Sequence, residues 1–221
     1  VVENDLSLIK SKKIVIRSSA VDEDSNLSSF AGEYVSVLNI PVNNFQKIDS
    51  AINKVINSYI KKRPIMPQDE IIIQEMVENV SMSGVILTHD LNTGAPYYVI
   101  NYDDQSGSTE TVTSGSGEYS NRTLYIHRNF SSKLKSDRFR RLITAVKDLE
   151  IKLGSNFLDI EFALEKDLTP HLLQVRPITT KPNWNQGITN RIDRTLNEVF
   201  SLVTKKFKKI DGVYGKTTVL G

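Results

Sequence analysis

The chain has 221 residues, no cysteine, an apolar share of 39% and 28 basic against 26 acidic side chains. The missing thiols exclude disulfides, zinc–thiolate sites and cysteine nucleophiles, and the near balance of charge argues against a surface that coats nucleic acid. No apolar run approaches the roughly 18 residues of a membrane helix, and the opening VVENDLSLIKSKK lacks the apolar block of a signal peptide, so a cytoplasmic setting is expected.

In chain order, β-type runs predict strands over 12–18, 33–40, 70–77, 83–89, 96–103 and 123–127. Helical periodicity predicts helices over 43–62, 137–153 and 187–209. The last carries Ile188, Ile192, Leu196, Val199, Phe200, Val203 and Phe207 on one stripe, which is expected to pack on a sheet or a neighbouring helix. Residues 104–122, rich in Ser, Thr and Gly, read as a mobile or functional loop. The order β-β-α-β-β-β-β-α-β-β predicts an α+β fold with largely antiparallel sheet and packed helices.

The sheet should close with a hairpin over 157–178. In FLDIEFALE, Leu158, Ile160, Phe162 and Leu164 share one face; Phe157, Asp159, Glu161, Ala163 and Glu165 share the other. A four-residue loop at 166–169 sets Glu161 opposite Gln174, Asp159 opposite Arg176, Ile160 opposite Val175 and Phe162 opposite Leu173. A slip by one residue would turn Glu161 into the core. Opposed Cβ atoms lie roughly 4.5–5.5 Å apart, so a Glu161 carboxylate and a Gln174 amide oxygen can share a small hard cation such as Mg²⁺. Arg176 beside them suits phosphate oxygens. The same face also reads as an ordinary solvated one, with Asp159–Arg176 a cross-strand ion pair, and the hairpin alone does not choose.

Two further stretches have this double character. In IVIRSSAVDEDSNLSSFAGEYVSVLNI (14–40), Arg17 ends an apolar strand. The small Ala31–Gly32 turn can bring backbone N–H groups to an anion, and Ser36 can donate from the strand that follows. In EIIIQEMVE (70–78), a strand runs into an extended connection where Gln74, Met76 and Val77 can meet a purine. Gly-Lys-Thr at 215–217 fails the P-loop spacing because Ile210 stands where a glycine is needed, and GSGEYS (115–120) falls one glycine short of a dinucleotide fingerprint. His89, His127 and His171 stand at strand ends without ligand spacing and read as structural.

Taken in order, IRSSAVDEDSNLSSFAGEYVSVLNI, IIIQEMVENVSMSGVILTHDLNTG, ETVTSG (110–115), LDIEFA and LLQVRPIT resemble motifs of the pyruvate phosphate dikinase and phosphoenolpyruvate synthase family. The resemblance spans about residues 14–180 and implies an ATP-grasp nucleotide-binding domain over 1–180. Residues 181–221 would then hold an amphipathic helix and the start of a linker. It further implies that Glu161 and Gln174 hold Mg²⁺ against ATP, that Arg17 and Arg176 neutralise phosphate, and that Ser36 and the Ala31–Gly32 turn close over the polyphosphate. Gln74 with the Met76–Val77 backbone would take the adenine, and Glu110 would face the nucleotide.

In such enzymes ATP is cleaved to AMP, and a phosphoryl group passes through a histidine on a separate swivelling domain to an acceptor such as pyruvate or glutamine. APYYVINYDDQSG (95–107) leans toward the glutamine-directed branch. Two departures stand out: the family's WGLGE appears here as SGSTE (106–110), and its Gly-rich lysine segment has no counterpart at Lys10, Lys12 or Lys13. A non-catalytic nucleotide-binding regulatory module is the alternative. Nucleic-acid binding through KKFKK (205–209) is the weaker third reading, against which the charge balance counts.

Overall fold

The computed structural model describes residues 9–21, 24–25, 28–29, 34–107, 122–178, 184, 187–212 and 215–220, with 24–25, 28–29 and 207–220 described by backbone alone. The strands are β1 (Lys13–Ser19), β2 (Asp24–Ser25), β3 (Ser28–Ser29), β4 (Val37–Pro41), β5 (Glu70–Glu75), β6 (Val80–Leu87), β7 (Tyr97–Asp103), β8 (Arg122–His127), β9 (Leu158–Glu165), β10 (Pro170–Pro177), β11 (Phe207–Gly212) and β12 (Gly215–Leu220). The helices are α1 (Phe45–Ile60), α2 (Asp137–Leu153) and α3 (Ile188–Lys206). A 3₁₀ helix at Arg128–Lys133, which the sequence reading left out, follows β8. The result is an α+β, ATP-grasp-like fold whose ladders are all antiparallel.

Two sheets organise it. The smaller has the order β4-β1-β5, the larger β10-β9-β6-β7-β8. On β1, Ile14 and Ile16 are fully buried under α1 with Ile48, Val55 and Tyr59. Alternation therefore sends Val15 and Arg17 to the opposite face. The helix starts where the Asn44 side chain accepts from the Lys47 N–H at 3.0 Å. The Tyr59 hydroxyl donates to the Glu70 carbonyl and accepts from the Ser19 N–H, tying the end of the helix to both strands.

The larger sheet buries Met82, Ile86, Tyr98, Ile100, Ile160, Phe162 and Leu164 against Phe139, Leu142, Ile143 and Val146 of α2. Each such side chain contributes about 1.5–3 kcal/mol by leaving water. Gly84 faces Tyr102 on one side and Phe162 on the other. A Cβ there would stand 2.0 Å from the Asn101 carbonyl oxygen, so β6 and β7 approach closely only without one. Gly154, at φ +61°, ends α2 in the left-handed conformation.

The closing hairpin carries the expected faces, but its register changes midway. Glu161 pairs with Gln174, Ile160 with Val175 and Asp159 with Arg176, whereas Phe162 pairs with Leu172, not Leu173. Leu173 is the extra residue of a bulge, and Leu172 takes its place against the core. Two adjacent leucines make the apolar pattern indifferent to which one packs.

Other boundaries also move. The strand expected from 33 begins at Val37, the one expected from 83 begins at Val80, and α3 stops at Lys206, where the chain turns into the β11–β12 ladder instead of continuing to 209. The stripe on α3 is not packed away: no residue of the helix is buried, and Val199 and Phe200 are 49% and 74% exposed. Ile188, Ile192 and Leu196 of the stripe are half-buried, and the Asp193 carboxylate between them accepts from the Asn129 amide and lies 3.3 Å from His127 Nε2. Periodicity marks a face suited to burial, not the element that buries it.

Candidate functional site

The polar face of β9–β10 meets Arg17 of the smaller sheet. Arg17 Nη2 donates to Gln174 Oε1 at 2.7 Å and to Glu161 Oε2 at 3.1 Å, while Nη1 donates to the Leu173 carbonyl at 3.4 Å. The guanidinium thus collects three acceptors from one hairpin, and the third belongs to the bulged residue. The bulge does two things at once: it preserves the Glu161–Gln174 pairing and turns a main-chain carbonyl toward the arginine. Arg17 and Glu161 are both about one-fifth exposed, so the contact is reachable by solutes yet partly shielded from water.

Asp159 extends the same face two residues along, opposite Arg176. Its Oδ1 is buried without a hydrogen-bond partner. Burial pushes its carboxyl above the usual range; the Arg176 charge opposes that shift and the Glu161 charge adds to it. The sequence reading treated Asp159 as one half of an ion pair, and the available signal was its i,i+2 spacing from Glu161.

Gln74 lies on the Arg17 side of the smaller sheet, because it pairs with Val15 while Arg17 pairs with Ile72. Ile71 and Ile73 turn the other way into the core. Met76 is more committed than the sequence suggested. Its N–H donates to the Lys13 carbonyl at 3.0 Å, its carbonyl accepts from the Ser11 hydroxyl, and its sulfur lies 3.3 Å from the Asn39 N–H. Val77 follows it, half-buried. Ser36 is exposed and immediately precedes Val37, the partner of Ile16, which places it beside the Arg17 end of β1. Ala31, Gly32 and Glu110 lie outside the described residues.

The histidines do not converge. His89 is buried and stacked on Phe157, with Nδ1 3.0 Å from the Asn156 carbonyl; burial lowers its pKa. His127 faces Asp193, and His171 lies 2.9 Å from Glu165. Among the described residues, no three His, Asp or Glu side chains form a metal-holding cluster. The hairpin offers two carboxylates and an amide oxygen, a set suited to a hard cation that takes its remaining ligands from water and phosphate.

The D-x-x-T-G turn after β6 is also resolved. Gly94 adopts φ +71° and donates to the Asp90 carbonyl, and the Trp184 ring packs where a Cβ at Gly94 would stand. Trp184 Nε1 donates to the Leu91 carbonyl, so this indole is held on the turn by a hydrogen bond as well as by packing.

The family model of the pyruvate phosphate dikinase AMP/ATP-binding domain matches residues 3–116, just over half of the chain. The chain belongs to this family. The match to the dikinase nucleotide-binding domain takes in Arg17, Ser36 and Gln74 but stops before the hairpin that carries Glu161 and Gln174. The chain is therefore an AMP/ATP-binding unit of a dikinase-type protein, and among the described residues no helix is long and apolar enough to cross a membrane. No curated protein matches the chain.

Proposed function

We propose that this chain is the nucleotide-binding part of a phosphoenolpyruvate-synthase-like dikinase, and that the β9–β10 face holds Mg²⁺ against the ATP phosphates. The observation that carries the reading is the convergence of Glu161 Oε2 and Gln174 Oε1 on a single cationic nitrogen of Arg17. Two oxygens already aimed at one positive charge fit a metal, and the unpartnered Asp159 Oδ1 nearby supplies another acceptor. When bound, the metal would neutralise phosphate charge during transfer.

The protein's own groups do the rest. Arg17 and Arg176 balance charge on the transferring phosphoryl group, Ser36 and the Ala31–Gly32 turn cover the polyphosphate, and Glu110 faces the nucleotide. Gln74 reads the adenine edge, with Met76 and Val77 packing on the ring. The Met76 N–H is already given to the Lys13 carbonyl, so the main-chain part of the contact falls to the Met76 carbonyl and Val77.

The full reaction cleaves ATP to AMP. The β-phosphoryl group passes to a histidine on a swivelling domain and then to a small acceptor, pyruvate or glutamine among the candidates, and in synthase-type enzymes water takes the γ-phosphate. Residues 1–180 form the nucleotide-binding domain, and 181–221 carry the helix that leads toward the rest of the machinery.

Calorimetric titration of ATP with and without Mg²⁺ tests this. Wild type is expected to bind more tightly with Mg²⁺, and Glu161→Ala to lose that gain, about 100-fold in Kd. Equal affinity in the two proteins with Mg²⁺ present contradicts the reading.

A further inference from the structure

Arg17 stands where the proposed reading needs it least. A residue meant only for phosphate would point into open cleft; this one points into the metal ligands. Its Nη2 is 2.7 Å from Gln174 Oε1 and 3.1 Å from Glu161 Oε2, and its Nη1 reaches the Leu173 carbonyl. Mg²⁺ binds oxygen at about 2.0–2.1 Å in a near-octahedral shell. That shell and the guanidinium cannot use the same two oxygens together, both for want of room and because two cations would share one small volume.

We propose that Arg17 is the resident cation of the empty site, released to the phosphates when metal and nucleotide arrive together. This rests on the metal reading above. Without nucleotide, Glu161 and Asp159 lie on one sheet face; Arg176 stands opposite Asp159, and Arg17 offsets Glu161. Free Mg²⁺ gains little by entering, because it must evict a hydrogen-bonded arginine that then has no anion to meet. MgATP brings both a cation for the hairpin and an anion for Arg17, so the exchange conserves charge at each position.

The consequence is ordered use of the site, with bare metal excluded and metal–nucleotide admitted. Arg17 belongs to the smaller sheet and its acceptors to the larger. The exchange therefore also replaces a direct link between the sheets with one that runs through the nucleotide. Leu173 fits this role, since the carbonyl of the bulged residue on this edge strand accepts from Arg17 Nη1.

The test uses Mn²⁺ alone, with free ion counted by electron paramagnetic resonance, on wild type, Arg17→Met, Glu161→Gln and the double variant. Arg17→Met is expected to bind Mn²⁺ about tenfold more tightly than wild type without nucleotide, to lose that gain in the double variant, and to bind MgATP more weakly. Arg17→Lys keeps a cation but not the fork, and is expected to show about a threefold gain; it also serves if Arg17→Met does not fold. Mn²⁺ affinity in Arg17→Met and Arg17→Lys equal to or below that of wild type overturns the placeholder role. If Glu161→Gln still weakens MgATP binding in that case, the metal reading survives. If neither Mn²⁺ nor MgATP depends on Glu161 in any background, both fall.

Discussion

Two arginine–carboxylate contacts in this molecule look alike and are built on opposite principles. In the first, Arg63 grips Asp69 with both arms at 2.8 and 2.7 Å, and the Met66 and Val21 N–H groups fill the remaining acceptor capacity. The Asp69 side chain is 1% exposed and fully served. In the second, Arg17 spreads over three acceptors, Glu161 is reached through one oxygen, and Asp159 keeps a buried oxygen without a partner. A carboxylate whose acceptors are all filled holds structure together, whereas one left short of partners keeps acceptor capacity that a ligand can use. The pKa directions agree. Asp69 is held far below the usual carboxylate range, chiefly by its hydrogen bond from Arg63, while Asp159 is raised by burial.

The sharpest way to break this contrast is to remove one acid from each contact. Asp69→Ala strands Arg63 and frees two main-chain N–H groups, and should lower unfolding free energy by about 3 kcal/mol, read from urea midpoints by the fluorescence of Trp184, the single tryptophan. Glu161→Gln keeps an oxygen for Arg17, and should change stability by less than about 1 kcal/mol while abolishing the metal-dependent part of ATP binding. If the two variants exchanged these phenotypes, the contrast would be wrong.

Acid sharpens it further. The folded-state pKa of Asp69 is depressed, so its stabilisation is fully present above the unfolded value of about 3.9 and is lost as pH falls below that toward the folded value. The stability gap between wild type and Asp69→Asn should stay constant at neutral pH and close on acidification below about pH 4. A gap as large at pH 2.5 as at pH 7 would mean that the clasp works through packing and not charge. Within the clasp, a smaller effect than that of Asp69→Ala is expected from Arg63→Lys, about 1 kcal/mol, because the charge stays and the two-armed geometry is lost.

The sequence made much of this legible, and the omissions have physical reasons. Alternation in Leu158, Ile160, Phe162 and Leu164 fixed which face of β9 is buried, and with it the pairing of Glu161 with Gln174, because any slip by one residue would have buried a carboxylate. The bulge at Leu173 was invisible, since Leu172 and Leu173 satisfy the pattern equally well. The grip of Arg17 on the hairpin spans 144 residues to Glu161 and joins two sheets, and local periodicity carries no information about such a contact.

The end of α3 shows the same limit from the other side. Phe207 continues the helical stripe, yet the β11–β12 ladder claims it. That outcome depends on Gly215–Leu220, downstream of the helical window. Met76 illustrates a subtler loss: its motif position was readable, but not the pairing of its N–H with the Lys13 carbonyl, which joins residues 63 apart in the chain.

The most direct measurement is a crystal structure with a non-hydrolysable ATP analogue and Mn²⁺, using the anomalous signal to locate the ion. The expected result is a peak between Glu161 and Gln174, with the Arg17 guanidinium moved onto phosphate oxygens. A peak elsewhere, with Arg17 still hydrogen-bonded to both side chains and nucleotide bound, would contradict the assignment of this hairpin as the metal–phosphate site.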